Sequence, residues 1–379
     1  MTDLGLKNRI IMCHRTLIHR LVGIVAAGIV ALTAVQCTTS GHDDFDAEPG
    51  IEHGVSAAFG GVSGNFVVRA GGCNFPDDPL GADSKKRYYQ GVYVLNPAEP
   101  DGEWKRVGNL PKCIAYGASA TTHKGVVMAG GITADGSTAE VWLARVDETG
   151  KPEISSLPEL PFALDNTAAC ADENTVYVCG GNVDGKPSNV LLCLNLDRQG
   201  EGWQRLADFP GNGRIQPVVA VTQSRVYVWG GFAPKGENRE ATLDTGGYCY
   251  EILDKEWKVV PGPTDDTGYE VSLGGGVAVT LADGRIAATG GVNRDVFLSA
   301  LRQQPADYLQ HPKEWYRFNP TVYIFDPDSC TWSAEATSAD YARAGAAAAL
   351  WGDSLFILGG ELKPRIRTPK TAVLKISAK

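Results

Sequence analysis

Six times along this chain an apolar, β-branched run ends in a Gly-Gly pair, and no other feature restricts the fold so sharply. The pairs are Gly71-Gly72 in FVVRAGG, Gly130-Gly131 in VVMAGG, Gly180-Gly181 in VYVCGG, Gly230-Gly231 in VYVWGG, Gly290-Gly291 in IAATGG and Gly359-Gly360 in LFILGG, spaced by 59, 50, 50, 60 and 69 residues. Self-similarity of this kind marks a repeat architecture. Most pairs are followed by a run ending in a turn, such as VYVLNP, VLLCLNLD or VYIFDPDS, and then by a strand carrying Trp104, Trp203, Trp257 or Trp332. Before the pairs stand small-residue runs such as GASATT and GAAAAL. Four short strands per unit, six units over, is the pattern of an all-β propeller. The 45 glycines among 379 residues, about 12% against a usual ~7%, supply its turns.

The strands of a blade are lettered a to d from axis to rim. Strand a lies where blades converge and must be rich in Ala, Gly and Ser, while the Gly-Gly pair lets the chain leave strand b with backbone angles that other residues resist. The Trp is expected to pack between blades. The repeats place blades at 54–108, 117–157, 164–206, 216–260, 272–335 and 343–379. Blade 2 departs, with Trp142 on its third strand and none on the fourth. Blade 6 has three strands, ending in TAVLKIS at 371–377. Because an open edge is an association hazard, a segment near Asp43 to Ile51 is expected to add the missing outer strand, with Phe45 standing in for the Trp. A ring capped by its own C-terminus is the alternative.

The N-terminus reads as an address. Arg9, Arg15 and Arg20 precede the apolar run Leu21 to Val35, too short for a spanning helix and suited to a signal peptide. Cys37 closes it in LTAVQC, a position resembling the lipid-modified cysteine of bacterial lipoproteins, although Gln36 stands where a small residue is usual. Residues 1–37 are therefore expected to be an export leader, lipidated at Cys37 or else a plain cleaved signal or an uncleaved anchor, 38–53 an acidic tether and possible ring-closing strand, and 54–379 the propeller. The expected location is the periplasm or cell envelope, with membrane attachment through Cys37; the sequence leaves the oligomeric state open. Net charge is −9, and the first 20 residues are basic, so the remainder is more acidic still and a general nucleic-acid binder is excluded. Beyond Cys13 and Cys37 there remain seven cysteines without zinc spacing, so no chemistry is assigned to them.

Antiparallel pairing puts the d–a and b–c connections of all blades around one mouth of the central channel, the default site. The b–c loop 292–318 is long enough to be a lid, and its Phe297, Tyr308, Trp315, Tyr316 and Phe318 would suit the apolar face of a sugar or would pack the lid onto blade 5. After the sixth Gly-Gly pair comes Glu361, with Arg367 six residues on in GGELKPRIRTPKTAVL. A carboxylate and a guanidinium aimed into one cavity offer an acid/base group and an anion clamp; an exposed loop ion pair is the plainer alternative.

The run from Gly290 to Ser377, with GGVNRDVF, VYIFDPDSCTWS, GAAAAL and GELKPRIRT, resembles bacterial N-acetylneuraminate epimerases, kelch-repeat sialic acid mutarotases. The blade order is shifted, so the chain looks like the cyclically permuted mutarotase family: a six-bladed kelch-type β-propeller, circularly permuted relative to the epimerases. The resemblance implies Glu361 and Arg367 as the catalytic pair, and Arg214, Gln216, Tyr116 and Asn293 as substrate-binding residues. Ile114 stands where the epimerases have Arg, and Arg365 replaces a Gly before the Ile-Arg-Thr step, departures that bear on substrate identity. The implied reaction is anomer interconversion of a sialic acid or related acidic sugar, needing no metal, nucleotide or other cofactor. A non-catalytic kelch module binding a glycan or protein is the other reading. A copper-radical oxidase would need more histidines than His53, His123 and His311, the ones that follow the polar stretch 38–50.

Overall fold

The computed structural model describes residues 47–99 and 102–377. Six antiparallel sheets follow one another along the chain, five of four strands and a last one of three. Their inner strands, Phe59–Ser63, Ala118–Thr122, Ala168–Asp172, Val218–Thr222, Gly276–Thr280 and Ala347–Trp351, each lie against the next. Small side chains are obligatory there: a Cβ on Gly60 would stand 2.7 Å from the Cβ of Ala347 on the sixth inner strand. The core is a series of apolar layers between neighbouring blades, such as Val127, Leu143, Val178 and Leu192 between blades 2 and 3. This is the expected all-β kelch propeller.

The Gly-Gly pairs do more than permit a turn. The first glycine of each has φ between 60° and 70° and the second between 84° and 120°, the left-handed region that glycine enters without penalty. In five of the six, the second glycine's N–H bonds the carbonyl of the chain entering the next blade. Those carbonyls belong to Ile114, Leu164, Arg214, Arg343 and Val55, at 2.8 to 2.9 Å. A Cβ on the first glycine would collide with that same carbonyl, at 2.5 Å in the case of Gly359 and Val55. The repeat thus fastens five of the six blades to the next in the ring, the sixth to the first among them.

A second closed set lines the mouth. Two residues beyond each fastened carbonyl position stand Ala57, Tyr116, Asn166, Gln216, Gly275 and Gly345, all at positive φ. Each donates its N–H to the carbonyl of the preceding one, and Ala57 donates to Gly345, at 2.7 to 2.9 Å throughout. The tryptophans bridge blades as expected: the indole N–H groups of Trp203, Trp257 and Trp332 reach Pro158, Ala207 and Pro261 carbonyls, and Trp104 reaches Thr371 Oγ1 on blade 6.

The closing strand requires a correction as far as the described residues extend. Ala47 to Ile51 does not pair with Thr371–Lys375, the outer strand of blade 6. Instead the Glu48 carboxylate accepts the N–H groups of Gln90 and Gly91 at 3.0 Å, and Asn74 donates to the Gly50 carbonyl, so this segment is held on blade 1. Glu48 offers more to the free N–H groups at the start of a buried strand than to an exposed edge. The leader, Cys37 and Phe45 lie outside the described residues.

The lid also differs from one of its expected uses. Asn293 caps the helix Arg294–Gln303 by accepting the N–H of Val296. Phe297 packs edge-on to Phe232 of blade 4 at 4.8 Å, and Tyr308, Tyr316 and Phe318 are buried in the same cluster with Ile215 and Ala344. Burial of these rings fastens the segment down. Trp315 alone of the five is substantially exposed, stacked on His311.

Candidate functional site at the channel mouth

The residue after each Gly-Gly pair occupies one repeated place: Cys73, Ile132, Asn182, Phe232, Val292 and Glu361. In every blade but the fifth it opens a short hairpin and pairs with the chain entering strand a. Glu361 is the one carboxylate in that set. Its N–H donates to the Ala344 carbonyl at 2.7 Å, and the Ala344 N–H returns the bond at 3.0 Å, which fixes the backbone below the side chain.

Arg367 lies directly across the hairpin from Glu361, the turn being made at Arg365 with φ 69°. Arg367 Nη1 donates to Glu361 Oε1 at 2.5 Å, and the Arg365 backbone N–H donates to the same oxygen at 2.5 Å. No described residue hydrogen-bonds to Oε2. The Glu361 side chain is 24% exposed and that of Arg367 only 4%, so the carboxylate faces the mouth and the guanidinium stands behind it. Buried Arg367 Nε has no hydrogen-bond partner. Burial opposes the charge on Arg367, but Glu361, with smaller contributions from Tyr116 and Cys73, holds its pKa above the ordinary guanidinium value.

Three phenols feel the charge of this pair. Burial, then Cys73, push the Tyr116 hydroxyl well above its usual pKa, with Glu361 adding to the shift and Arg367 opposing it. Tyr116 Oη accepts a hydrogen bond from Lys86 Nζ at 2.9 Å. Burial and then the Glu361 carboxylate raise Tyr308 strongly and Tyr316 to about 12. All three therefore remain protonated hydroxyls at neutral pH. Lys363 Nζ ties the hairpin to the lid through the carbonyls of Leu309 and His311, at 3.1 and 2.6 Å.

The other sequence candidates fall in different places. Gln216 belongs to the mouth ring, where its Nε2 donates to Asn166 Oδ1 at 2.7 Å. Asn293 is a helix cap. Arg214 is 1% exposed and is not brought to the open mouth: its Nη1 bonds the Gly230 carbonyl at 3.1 Å, and its Nη2 lies 3.4 Å from Asp244. The repeat explains why. The places two residues before the mouth ring hold Val55, Ile114, Leu164, Arg214, Leu273 and Arg343, all buried. Arg343 likewise spends its guanidinium on the Gly359 and Lys370 carbonyls. Ile114 fills the same place with packing alone, so that departure from the epimerases lies under the mouth and not in it.

Sequence reasoning missed Asp165, which is 4% exposed and accepts from Ser137, Asn166 and Asn182 side chains on the far side of the mouth. It also missed Phe75 and Lys86 on the blade 1 loop. A usable signal existed: mouth-ring residues lie 14 positions before the Gly-Gly pair, or 15 in blade 5. Among the described residues no group of three or more His, Cys, Asp or Glu could hold a metal ion.

Comparison with known proteins agrees with this picture. A family model described as N-acetylneuraminate epimerase matches residues 157–379. N-acetylneuraminate epimerase of Salmonella paratyphi B is 28% identical over 227 residues, covering 56% of this chain and 57% of the relative. That of Haemophilus influenzae is 29% identical over 238 residues, covering 61% and 62%. The chain thus aligns with about three fifths of the length of these relatives. A solved structure titled "Structure of YjhT" superposes with a TM-score of 0.61 over 85% of this chain and 95% of the other, at 14% identity, a likeness of fold.

Proposed function

Since this chain belongs to the N-acetylneuraminate epimerase family, we propose that it is a sugar mutarotase that interconverts the anomers of N-acetylneuraminate or a related acidic sugar. The observation that carries the proposal is the Glu361 and Arg367 pair: a half-buried carboxylate with one oxygen open, backed by a buried guanidinium with an unpartnered nitrogen. The shared alignment with the relatives supports it, as does a family match confined to the C-terminal blades, which is what a permuted blade order would give.

The chemistry follows from the groups present. Glu361 Oε2 takes the proton of the anomeric hydroxyl and hands it to the ring oxygen as the ring carbon–oxygen bond breaks, leaving an open-chain ketone and a free hydroxyl. Rotation about the bond beside the ketone carbon turns its other face to the hydroxyl, and on reclosure the carboxylate takes that hydroxyl's proton and passes it to the ketone oxygen, giving the other anomer. Positioned acid/base catalysis of this kind contributes roughly 10²–10⁴-fold. The guanidinium hydrogens of Arg367 not given to Glu361 would hold the sugar carboxylate, and the protonated phenols of Tyr116 and Tyr308 would supply donors to ring and hydroxyl oxygens.

The proposal includes export and attachment through Cys37, supported by the Arg-flanked apolar run that ends there. Labelling with a fatty-acid analogue should mark the wild type and miss Cys37→Ser. For the reaction itself, one-dimensional proton NMR of freshly released α-N-acetylneuraminate should show faster conversion to the β anomer with the protein present. Binding without acceleration would favour the non-catalytic glycan-binding module.

A further inference from the structure

The mouth holds more positive charge than the proposed reaction employs. Three cations surround one ring: Lys86 Nζ, the Arg365 guanidinium and the Arg367 guanidinium lie 5.7, 5.2 and 5.4 Å from the centroid of Phe75. Arg367 is matched by Glu361. Among the described residues no carboxylate lies within salt-bridge distance of Lys86 or Arg365. Lys86 is spent on a phenol, standing 4.5 Å over the Tyr116 ring. Arg365 reaches the Pro79 and Gly81 carbonyls through Nη1 alone, at 3.5 and 3.3 Å. The acids of that loop, Asp77, Asp78 and Asp83, are exposed, and Asp77 faces Arg87 at 3.7 Å.

Such a cluster is self-repelling until an anion arrives, and it sits in a chain of net charge −9, so bulk charge does not explain it. The backbone gives a second, independent indication. Arg365 is held at φ 69°, where a side chain costs about 1–2 kcal/mol, and the resembling epimerases have Gly at this step. A strained residue whose side chain joins two other cations around one ring points to a function for that side chain.

We infer that Lys86 and Arg365 form a second anion subsite adjoining the Glu361 and Arg367 pair, and that the preferred substrate is an acidic sugar bearing a phosphate or sulfate ester besides its carboxylate. The inference rests on the acidic-sugar reading of the site. Arg367 takes the carboxylate near the reacting carbon, while Lys86 and Arg365 take the ester oxygens across the face of Phe75.

Calorimetric titration with N-acetylneuraminate and with N-acetylneuraminate 9-phosphate, at matched ionic strength, reads the subsite as a ratio of affinities. Wild type should favour the phosphate ester by about 10-fold or more, the scale of one charge-assisted hydrogen bond. Arg365→Gly, which relieves the backbone strain and so should fold, and Lys86→Gln should each bring that ratio toward one. Equal affinities in wild type, or an unchanged ratio in both variants, would overturn the inference. A titration with inorganic phosphate alone separates the two readings. Phosphate binding that depends on Lys86 and Arg365 in a protein that exchanges no anomers would sustain the subsite and sink the mutarotase. Anomer exchange with neither phosphate binding nor ester preference would do the reverse.

Discussion

The backbone N–H of Ala57 donates to the carbonyl oxygen of Gly345 across 2.7 Å, joining the first blade to the last at the channel mouth. The bond completes a hexagon of six such links, one per blade. Three of its corners carry large polar side chains, Tyr116, Asn166 and Gln216, and three are Ala57, Gly275 and Gly345. The mouth is therefore walled on the side of blades 2 to 4 and open beside the hairpin bearing Glu361 and Arg367.

The seam beneath that hexagon should be intolerant of added bulk. Gly54 has φ 77°, and a Cβ there would stand 2.1 Å from the carbonyl carbon of Thr368, next to Arg367. Gly54→Ala should lose roughly 3 kcal/mol or more from strain and collision together. Gly136 has φ 114°, and a Cβ there would have no neighbour within 4 Å, so it meets strain alone. Gly136→Ala should therefore cost only about 1–2 kcal/mol. Urea unfolding midpoints compare them, and equal shifts would mean that the seam is not packed as described.

Arg214 should behave as a structural residue. Removing its guanidinium strands the Gly230 carbonyl and Asp244, so Arg214→Met should destabilise by about 3 kcal/mol. Sugar affinity of the protein that remains folded should change less than in Arg367→Lys. A stable Arg214→Met protein with abolished binding would return Arg214 to the binding set.

Alkaline pH should unfold the protein through its tyrosines. Burial raises Tyr88, Tyr89 and Tyr316 to about 12, above the unfolded value of 10.0. A raised folded pKa means that the unfolded chain gives up these protons first. The stability they contribute is complete below pH 10 and is lost as pH rises toward 12. Absorbance of tyrosinate and near-UV circular dichroism recorded together should show these groups ionising only as the tertiary signal disappears. Full tyrosinate absorbance near pH 10 with native dichroism would contradict the burial described.

The fold was legible because its constraint is local: each Gly-Gly pair is fixed by positive φ and by a carbonyl at contact distance, so the sequence can hold nothing else there. Glu361 was legible for the same reason, as the charged member of a six-fold set. Arg214 was misplaced because adjacency to a mouth residue does not say which way a side chain turns; the repeated place it shares with Ile114 and Leu164 does. The lid aromatics were ambiguous because composition cannot tell a ring that binds from one that packs, and contacts such as Phe297 with Phe232 join residues 65 apart in sequence. Lys86 and Phe75 lie on a blade 1 loop that meets the blade 6 hairpin only when the ring closes, a contact spanning nearly the whole chain.

The central claim is that Glu361 moves protons while Arg367 holds the anionic sugar. Anomer-exchange rates of N-acetylneuraminate, measured by NMR across sugar concentrations for wild type, Glu361→Gln and Arg367→Lys, test it most directly. Glu361→Gln should lose about 10²-fold or more in turnover while still binding, since an amide keeps the shape but cannot shuttle a proton. Arg367→Lys should chiefly weaken binding, by about 10- to 150-fold, since an ammonium cannot reproduce a two-pronged grip on a carboxylate. Exchange by Glu361→Gln at the wild-type rate would contradict the account.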